Sequence, residues 1–532
     1  MNSSGIGKRI QKRGLYLGVL PEMAAARDGS TRLTLDHDLD VLPDAGRRLT
    51  VSELARHVDD LAGRLGAAGV RPGEHVVISK TPNFDVWLLG TATARAGAIP
   101  VMLSHHLDGP TIASLLGRLD RPHLLADEGR LNSLDDVLSA DLTRQVISVS
   151  RSRPGTVSLA ELAGSPPVRP AFQGLDEPAF ITHTSGTTGV PKLVVHTPRT
   201  MRIRLRPQLV LLTLMRRRET VAIHTPFGHS RTFAAMALCL HKALPVLAVN
   251  DPDPDHVAQF FAEYQPGLIE ALPNSFLAWE DLASDPRHPL ASVKCFSSTF
   301  DAIHPRTIGR LLESSQRRAP LFYQIYGQTE VGPAIGRPYF RTSVKRMDGR
   351  CVGYPMLGGP RIRVASRNGA RPSKANPGFI EVRWKALLHT YLGEQDKYEA
   401  NLHDGWWRMG DVGYRSKLGC VHMLDREVDV IPGVNSTLEI EDLVMSRLAE
   451  VNEMVVVPGL RSEPVPVICT AQDQPLDPGR WRVAVADLPQ LADPIQLPLA
   501  ELPRTATLKV QRIELSRRLR DQLEKRQLEK RA

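Results

Sequence analysis

At 532 residues, with 42% hydrophobic content and a formal charge of +9, the chain can bury large cores and is long enough for more than one domain. No apolar run approaches the ~18 residues of a membrane helix, so a membrane span is not expected. The arginine-rich tail sets Arg517 against Asp521 and Arg520 against Glu524 at i,i+4, a solvated helical face that argues against nucleic acid as a partner.

The opening Met-Asn-Ser-Ser-Gly-Ile-Gly-Lys-Arg lacks the apolar core of a secretion signal, so a cytoplasmic location is expected. Helix-like stretches at 51–68 and 85–96 alternate with apolar strand-like runs at 75–79 and 99–102, a rhythm that returns from 221 to 320 and predicts layered α/β structure. The apolar segments 179–181 and 193–195 read as strands around a loop, Thr184-Ser185-Gly186-Thr187-Thr188-Gly189-Val190-Pro191-Lys192. Its glycines admit close approach, its hydroxyls and amides can donate to phosphate oxygens, and Lys192 adds positive charge. A Walker A loop is excluded, because Val190-Pro191 separates the last glycine from the lysine.

Further on come Tyr323-Gln-Ile-Tyr326-Gly-Gln-Thr329-Glu330, then Asp404-Gly-Trp-Trp-Arg-Met-Gly-Asp411, then Asp425-Arg426. After residue 410 the strand-like pieces shorten, and 439–448 reads as a helix. The last motif is Leu502-Pro-Arg-Thr-Ala-Thr-Leu508-Lys509. The five cysteines, at 239, 295, 351, 420 and 469, show no metal-ligand spacing and are expected to be buried or free thiols.

The order of these motifs resembles the adenylate-forming superfamily of acyl-CoA synthetases, carrier-loading adenylation domains and luciferases, over nearly the whole chain from about Thr50. The resemblance implies a large multi-subdomain α/β N-terminal domain (1–425) and a small mobile α+β C-terminal domain (426–532) that rotates between half reactions. It implies ATP or an acyl-AMP, Mg²⁺ and coenzyme A as ligands, and the positive surface would help draw in such anions. Carried over residue by residue, Thr184, Ser185, Gly186, Thr187, Thr188, Gly189, Lys192 and Thr329 would contact phosphates, and Glu330 would hold the metal. Ser298, Thr299 and Tyr326 would face the adenine, and Asp411 with Arg426 the ribose. Lys509 would bridge carboxylate and phosphate oxygens during adenylation. Phe227, His229, Phe300 and Gly332 would line the acyl pocket, with Phe233 and Ile335 adding apolar surface and His229 as its gate.

Three departures from the family pattern are informative. Leu508 stands where glycine usually precedes the catalytic lysine, exposing adenylation to misplacement of Lys509. Val428 occupies the hinge position, and the following loop is short, leaving Gly433 to face the pantetheine channel. Ser297-Ser-Thr-Phe-Asp-Ala replaces a run of small residues beside the adenine and acyl group. The expected function is an acyl-CoA ligase of a specialised pathway that works through an acyl-AMP. With adenylation impaired, a preformed acyl-AMP from a separate enzyme would be its substrate. Carrier-protein loading and non-catalytic adenylate binding are the alternatives.

Overall fold

The computed structural model describes residues 13–139, 141–151, 153–184, 190–213, 217–344, 346–459, 463–504 and 510–529, the last eight as backbone only. The first long helix, α1 (Val51–Ala67), shows why the periodicity is readable. Thr50 Oγ1 accepts from the Glu53 amide at 3.2 Å while Glu53 Oε2 accepts from the Thr50 amide at 2.8 Å, a capping box that satisfies two end donors. Leu54, Val58, Leu61 and Leu65 then fall on one face and are buried.

Strands β1 (His75–Ile78), β2 (Ile99–Met102) and β3 (Phe180–His183) run parallel, and β4 (Leu193–His196) returns antiparallel to β3. They belong to an eight-stranded sheet. The expected pair of strands around the glycine-rich loop is therefore present as β3 and β4. Helix α2 (Pro198–Thr213) follows.

The second sheet has fourteen strands. At its centre β5 (Val221–His224), which leads into helix α3 (Ser230–Lys242), runs parallel to β6 (Leu268–Ala271). Beyond it lie β7 (Cys295–Ser298) and β8 (Leu321–Gln328). The sheet continues antiparallel through β9 (Gly332–Tyr339), β10 (Cys351–Pro355) and the hairpin of β11 (Trp406–Arg415) and β12 (Val421–Arg426). In the first sheet β1 and β2 are largely buried and read as short apolar runs, whereas β6 and β7 of the second carry Glu270, Ser297 and Ser298 within them.

After β12, Ser436 caps α4 (Thr437–Arg447), and Val451–Val457, Val465–Thr470 and Ile495–Gln496 form a separate three-stranded sheet. The architecture is thus a large α/β body with two sheets and a smaller α+β unit. No helix among the described residues is long and apolar enough to cross a membrane.

One expectation is corrected. Cys351 and Cys420 form a disulfide with Cα atoms 6.6 Å apart, whereas Cys239, Cys295 and Cys469 are free. A span of 69 residues separates the pair in sequence. Only the antiparallel pairing of β10 with β12, which sets Cys351 opposite His422, brings them together.

Candidate functional site

In open parallel sheets ligands bind beyond the carboxyl ends of the strands, and both sheets turn those ends toward one cavity of about 730 Å³. Its wall includes Lys80 and Leu103–His106 after β1 and β2, Thr184 after β3, Thr225–Ser230 after β5, Thr299 and Phe300 after β7, and Thr329 and Glu330 after β8. Residues far apart in sequence converge because each strand stops at the same level.

The base of the glycine-rich loop is closed by paired bonds. The Thr184 amide donates to the Lys192 carbonyl at 3.0 Å, and the Lys192 amide to Thr184 Oγ1 at 3.1 Å. Ser185, Gly186, Thr187, Thr188 and Gly189 lie outside the described residues, as do Leu508 and Lys509. Lys192 Nζ sits 4.9 Å from the centre of the Tyr391 ring, a cation–π contact. The Tyr391 hydroxyl donates to Glu330 Oε1 at 2.7 Å. Tyr391, which sequence reasoning missed, therefore links the expected phosphate lysine to the expected metal carboxylate. Burial and the adjoining Glu330 raise its pKa strongly, keeping the hydroxyl a donor.

On the other side, Tyr326 donates its hydroxyl to Asp411 Oδ2, and Arg426 Nε lies 3.3 Å from Asp411 Oδ1. Asp411 and Arg426 are register partners across β11 and β12, so two motifs separated in sequence become one group. Burial and Asp411 hold the Tyr326 phenol well above its ordinary value.

His229 caps α3 by accepting from the Arg231 amide at 3.0 Å, and its ring meets Phe300 at 4.7 Å between centroids. Phe300 has φ +81°, a left-handed conformation unusual for a bulky residue. Phe227 and Phe233 reach the cavity but also pack on Phe84 and Phe180 respectively. Gly332, at φ +77°, also lines it. A Cβ there would lie 3.1 Å from Arg204 Cδ, so side chain and glycine are matched.

Two expected wall residues are placed elsewhere. Ile335 is fully buried in the core with Val194 and Trp407, in a stretch of β9 where Ala334 and Gly336 are buried too. Ser298 is also fully buried, and its hydroxyl donates to the Ala271 carbonyl at 3.2 Å. Val428 is 60% exposed at the cavity mouth, whereas Gly433, at φ +81° with open space around its missing Cβ, lies outside the lining.

Beside the apolar side chains of Phe227, Phe233 and Phe300, one wall of the cavity is polar. Arg231 donates through Nε and Nη2 to both carboxylate oxygens of buried Glu270, the Nη2 bond being 2.5 Å, and through Nη1 to Gln208 Oε1. Gln208 Nε2 in turn donates to the Arg204 carbonyl at 3.1 Å. His224, bonded at Nδ1 to the Val249 carbonyl, is lowered in pKa by burial and is neutral near pH 7. Lys80 lies 2.5 Å from Asp40 and 3.2 Å from Asp85. Gln208, His224, Arg231 and Glu270 stand in otherwise ordinary helices and strands and Lys80 in the loop after β1, where sequence offers no signal separating them from solvated polar residues.

A family model described as AMP-binding enzyme matches residues 24–392. Among curated proteins, the chain is similar to 3-amino-2-hydroxy-4-methoxybenzoate diazotase of Streptomyces cremeus, at 45% identity over 95% of each chain. It is also similar to 4-chlorobenzoate–CoA ligase of an Arthrobacter species, at 27% identity over 88% of this chain and 90% of that one. Among solved structures it resembles an anthranilate CoA ligase in complex with anthranoyl-AMP. There the TM-score is 0.79 and the identity 17%, covering 94% of this chain and 97% of that one. The shared fold, the cavity at the strand ends and the matching model agree: the chain belongs to the AMP-binding enzymes of the adenylate-forming superfamily.

Proposed function

We propose that the protein is an ATP-dependent diazotase, which activates nitrite as an adenylate and transfers its nitrogen to an aromatic amine. The observation that carries this reading is the 45% identity to a diazotase along 95% of both chains. The polar wall of Gln208, His224 and Arg231 supports it, since it suits an arene bearing polar substituents better than an unsubstituted benzoyl group.

The chemistry follows from what adenylation does. Nitrite, like a carboxylate, has only oxide to expel. When a nitrite oxygen attacks the α-phosphorus of ATP, the bond to the β-phosphate breaks and pyrophosphate departs. The nitrogen now carries AMP as its leaving group. The amine lone pair attacks that nitrogen, the N–O bond breaks with its electrons going to AMP, and the amine loses a proton to give an N-nitroso arylamine. The remaining N–H proton moves to its oxygen, a second proton, equivalent to the one the amine released, adds to that hydroxyl, and loss of water gives the diazonium. No oxidant is needed, because the two nitrogens already hold the required electrons.

In this reading Thr184, Lys192 and Thr329 hold the phosphates where charge accumulates. Glu330, a hard oxygen donor fixed by Tyr391, would hold Mg²⁺, which would offset phosphate charge. Tyr326 packs on adenine while Asp411 and Arg426 hold the ribose, and His229 with Phe300 gates the second substrate. Residues 426–532 act as the moving domain, with Val428 at its hinge and Lys509 brought to the adenylating centre.

A second reading, thioester formation with coenzyme A from the acid or a preformed acyl-AMP, is favoured by the 27% identity to a CoA ligase. Gly433 would then face the thiol arm. The test supplies ATP·Mg²⁺, an aminohydroxybenzoate and either ¹⁵N-nitrite or coenzyme A. Pyrophosphate release with a diazo product carrying one ¹⁵N is expected. Thioester formation without ¹⁵N incorporation would establish the second reading instead.

A further inference from the structure

Among the cavity's buried cations, Arg204 is the one that no carboxylate of the described residues approaches within ion-pair distance. Arg231 is matched by Glu270, and Lys80 by Asp40 and Asp85. Arg204, carried on α2 and only 7% exposed, donates through Nε to the Ala386 carbonyl at 2.8 Å. Its Nη1 donates to the Thr329 carbonyl at 2.9 Å and contacts His196 Nδ1 at 3.2 Å, and Nη2 donates to the Glu330 carbonyl at 2.5 Å. Burial holds His196 well below its ordinary pKa, so that partner is neutral too.

A guanidinium has five N–H donors, and these four contacts leave one Nη2 hydrogen without a partner among the described residues. Burial lowers the Arg204 pKa to about 10, which leaves the side chain charged at neutral pH. The Glu330 carboxylate acts on Arg204 through space without touching it, and a buried charge whose direct contacts are all neutral dipoles costs free energy that a contacting anion would recover. Arg204 lines the cavity, and its stem fills the space that Gly332 leaves open.

We propose that Arg204 receives a carboxylate that the aromatic substrate retains through the reaction, so that the substrates are aminoarene carboxylic acids. The inference rests on the diazotase reading, in which the amine reacts and the carboxylate is a spectator. Acyl transfer would instead consume the carboxylate at the α-phosphate. The one remaining Nη2 hydrogen can donate to a single carboxylate oxygen in a charge-assisted bond, and placing a carboxylate there supplies a counter-charge in direct contact.

The test pairs 3-amino-2-hydroxybenzoate with 2-aminophenol, which lacks only the carboxylate, in wild type, Arg204→Lys and Arg204→Met. Diazotisation is followed with ATP·Mg²⁺ and nitrite, and binding of each amine by calorimetry. Wild type should prefer the carboxylate partner by about 10-fold to 100-fold, the range of one hydrogen-bonded charge contact. Arg204→Met should erase most of that preference, and Arg204→Lys part of it. An equal fall for both amines would overturn the proposal and leave Arg204 as a brace for the Thr329 and Glu330 carbonyls. A raised KM for nitrite with the amine preference intact would also overturn it, assigning the free donor to nitrite. If neither amine is diazotised but calorimetry keeps the carboxylate preference dependent on Arg204, the diazotase reading fails and the carboxylate receptor stands.

Discussion

Replacing Glu270 with alanine tests whether the polar wall is a matched charge pair or an ornament of the core. The Glu270 and Arg231 side chains are 6% and 9% exposed, so solvent screens their interaction little. Both carboxylate oxygens are engaged by the guanidinium. Removing one member leaves Arg231 buried with the neutral Gln208 amide as its remaining side-chain partner among the described residues. Breaking a buried pair in this way costs about 3–5 kcal/mol, mostly because of the charge left behind. The double replacement Arg231→Met with Glu270→Met removes both charges and should recover much of that loss. In a double-mutant cycle the coupling should exceed about 2 kcal/mol.

Urea unfolding followed by tryptophan fluorescence reads the pair, since Trp279 is buried in the same sheet's core, where its ring meets Phe276. An Glu270→Ala variant within about 1 kcal/mol of wild type, or a double variant no more stable than the single one, would refute the reasoning. Either result would mean that water reaches the pair or that another acceptor replaces Glu270.

Burial raises the pKa of Asp85 to about 6, against the opposing pull of Lys80. The folded value lies above the unfolded one, so the native state binds more protons between about pH 4 and pH 6. Stability should therefore fall as pH rises through that window, by up to ~3 kcal/mol. Asp85→Asn should flatten that slope in urea midpoints taken across the window, and an unchanged slope would acquit Asp85. Phe300→Gly relieves the φ of +81° while Phe300→Ala does not, so the glycine variant should be the more stable of the two by about 1–2 kcal/mol in thermal denaturation. Equal stabilities would show that the backbone relaxes. Tyr326→Phe removes the donor to Asp411 and should weaken AMP binding by about 5-fold to 10-fold in calorimetry. Asp411→Ala should weaken it more, and unchanged affinity in both would remove this pair from the nucleotide site.

Much of the fold was readable because local rules and tertiary burial agree. The α1 helix carries its own capping box and a buried stripe at helical spacing, and β3 and β4 are apolar runs punctuated by Thr184 and Lys192. The nucleotide motifs were legible for a different reason: loops that contact phosphate need glycine, hydroxyls and lysine in close order, so their chemistry is written locally. The character of the polar cavity wall was not. Arg204, Gln208, Arg231 and Glu270 come from two helices and a strand, and each alone is indistinguishable from a surface charge. Reading the cysteines as unpaired failed because strand pairing decides that outcome, and whether Ile335 lines the cavity or joins the core was likewise left to packing.

The sequence by itself determined an adenylate-forming α/β chain, because the motifs of that family are short-range patterns. Only the tertiary structure decided which residues share the cavity wall. Charge compensation depends on distances between residues that the chain places far apart. The parallel strands must stop together before Arg231 can find Glu270 and Arg204 can be left with a donor to spare.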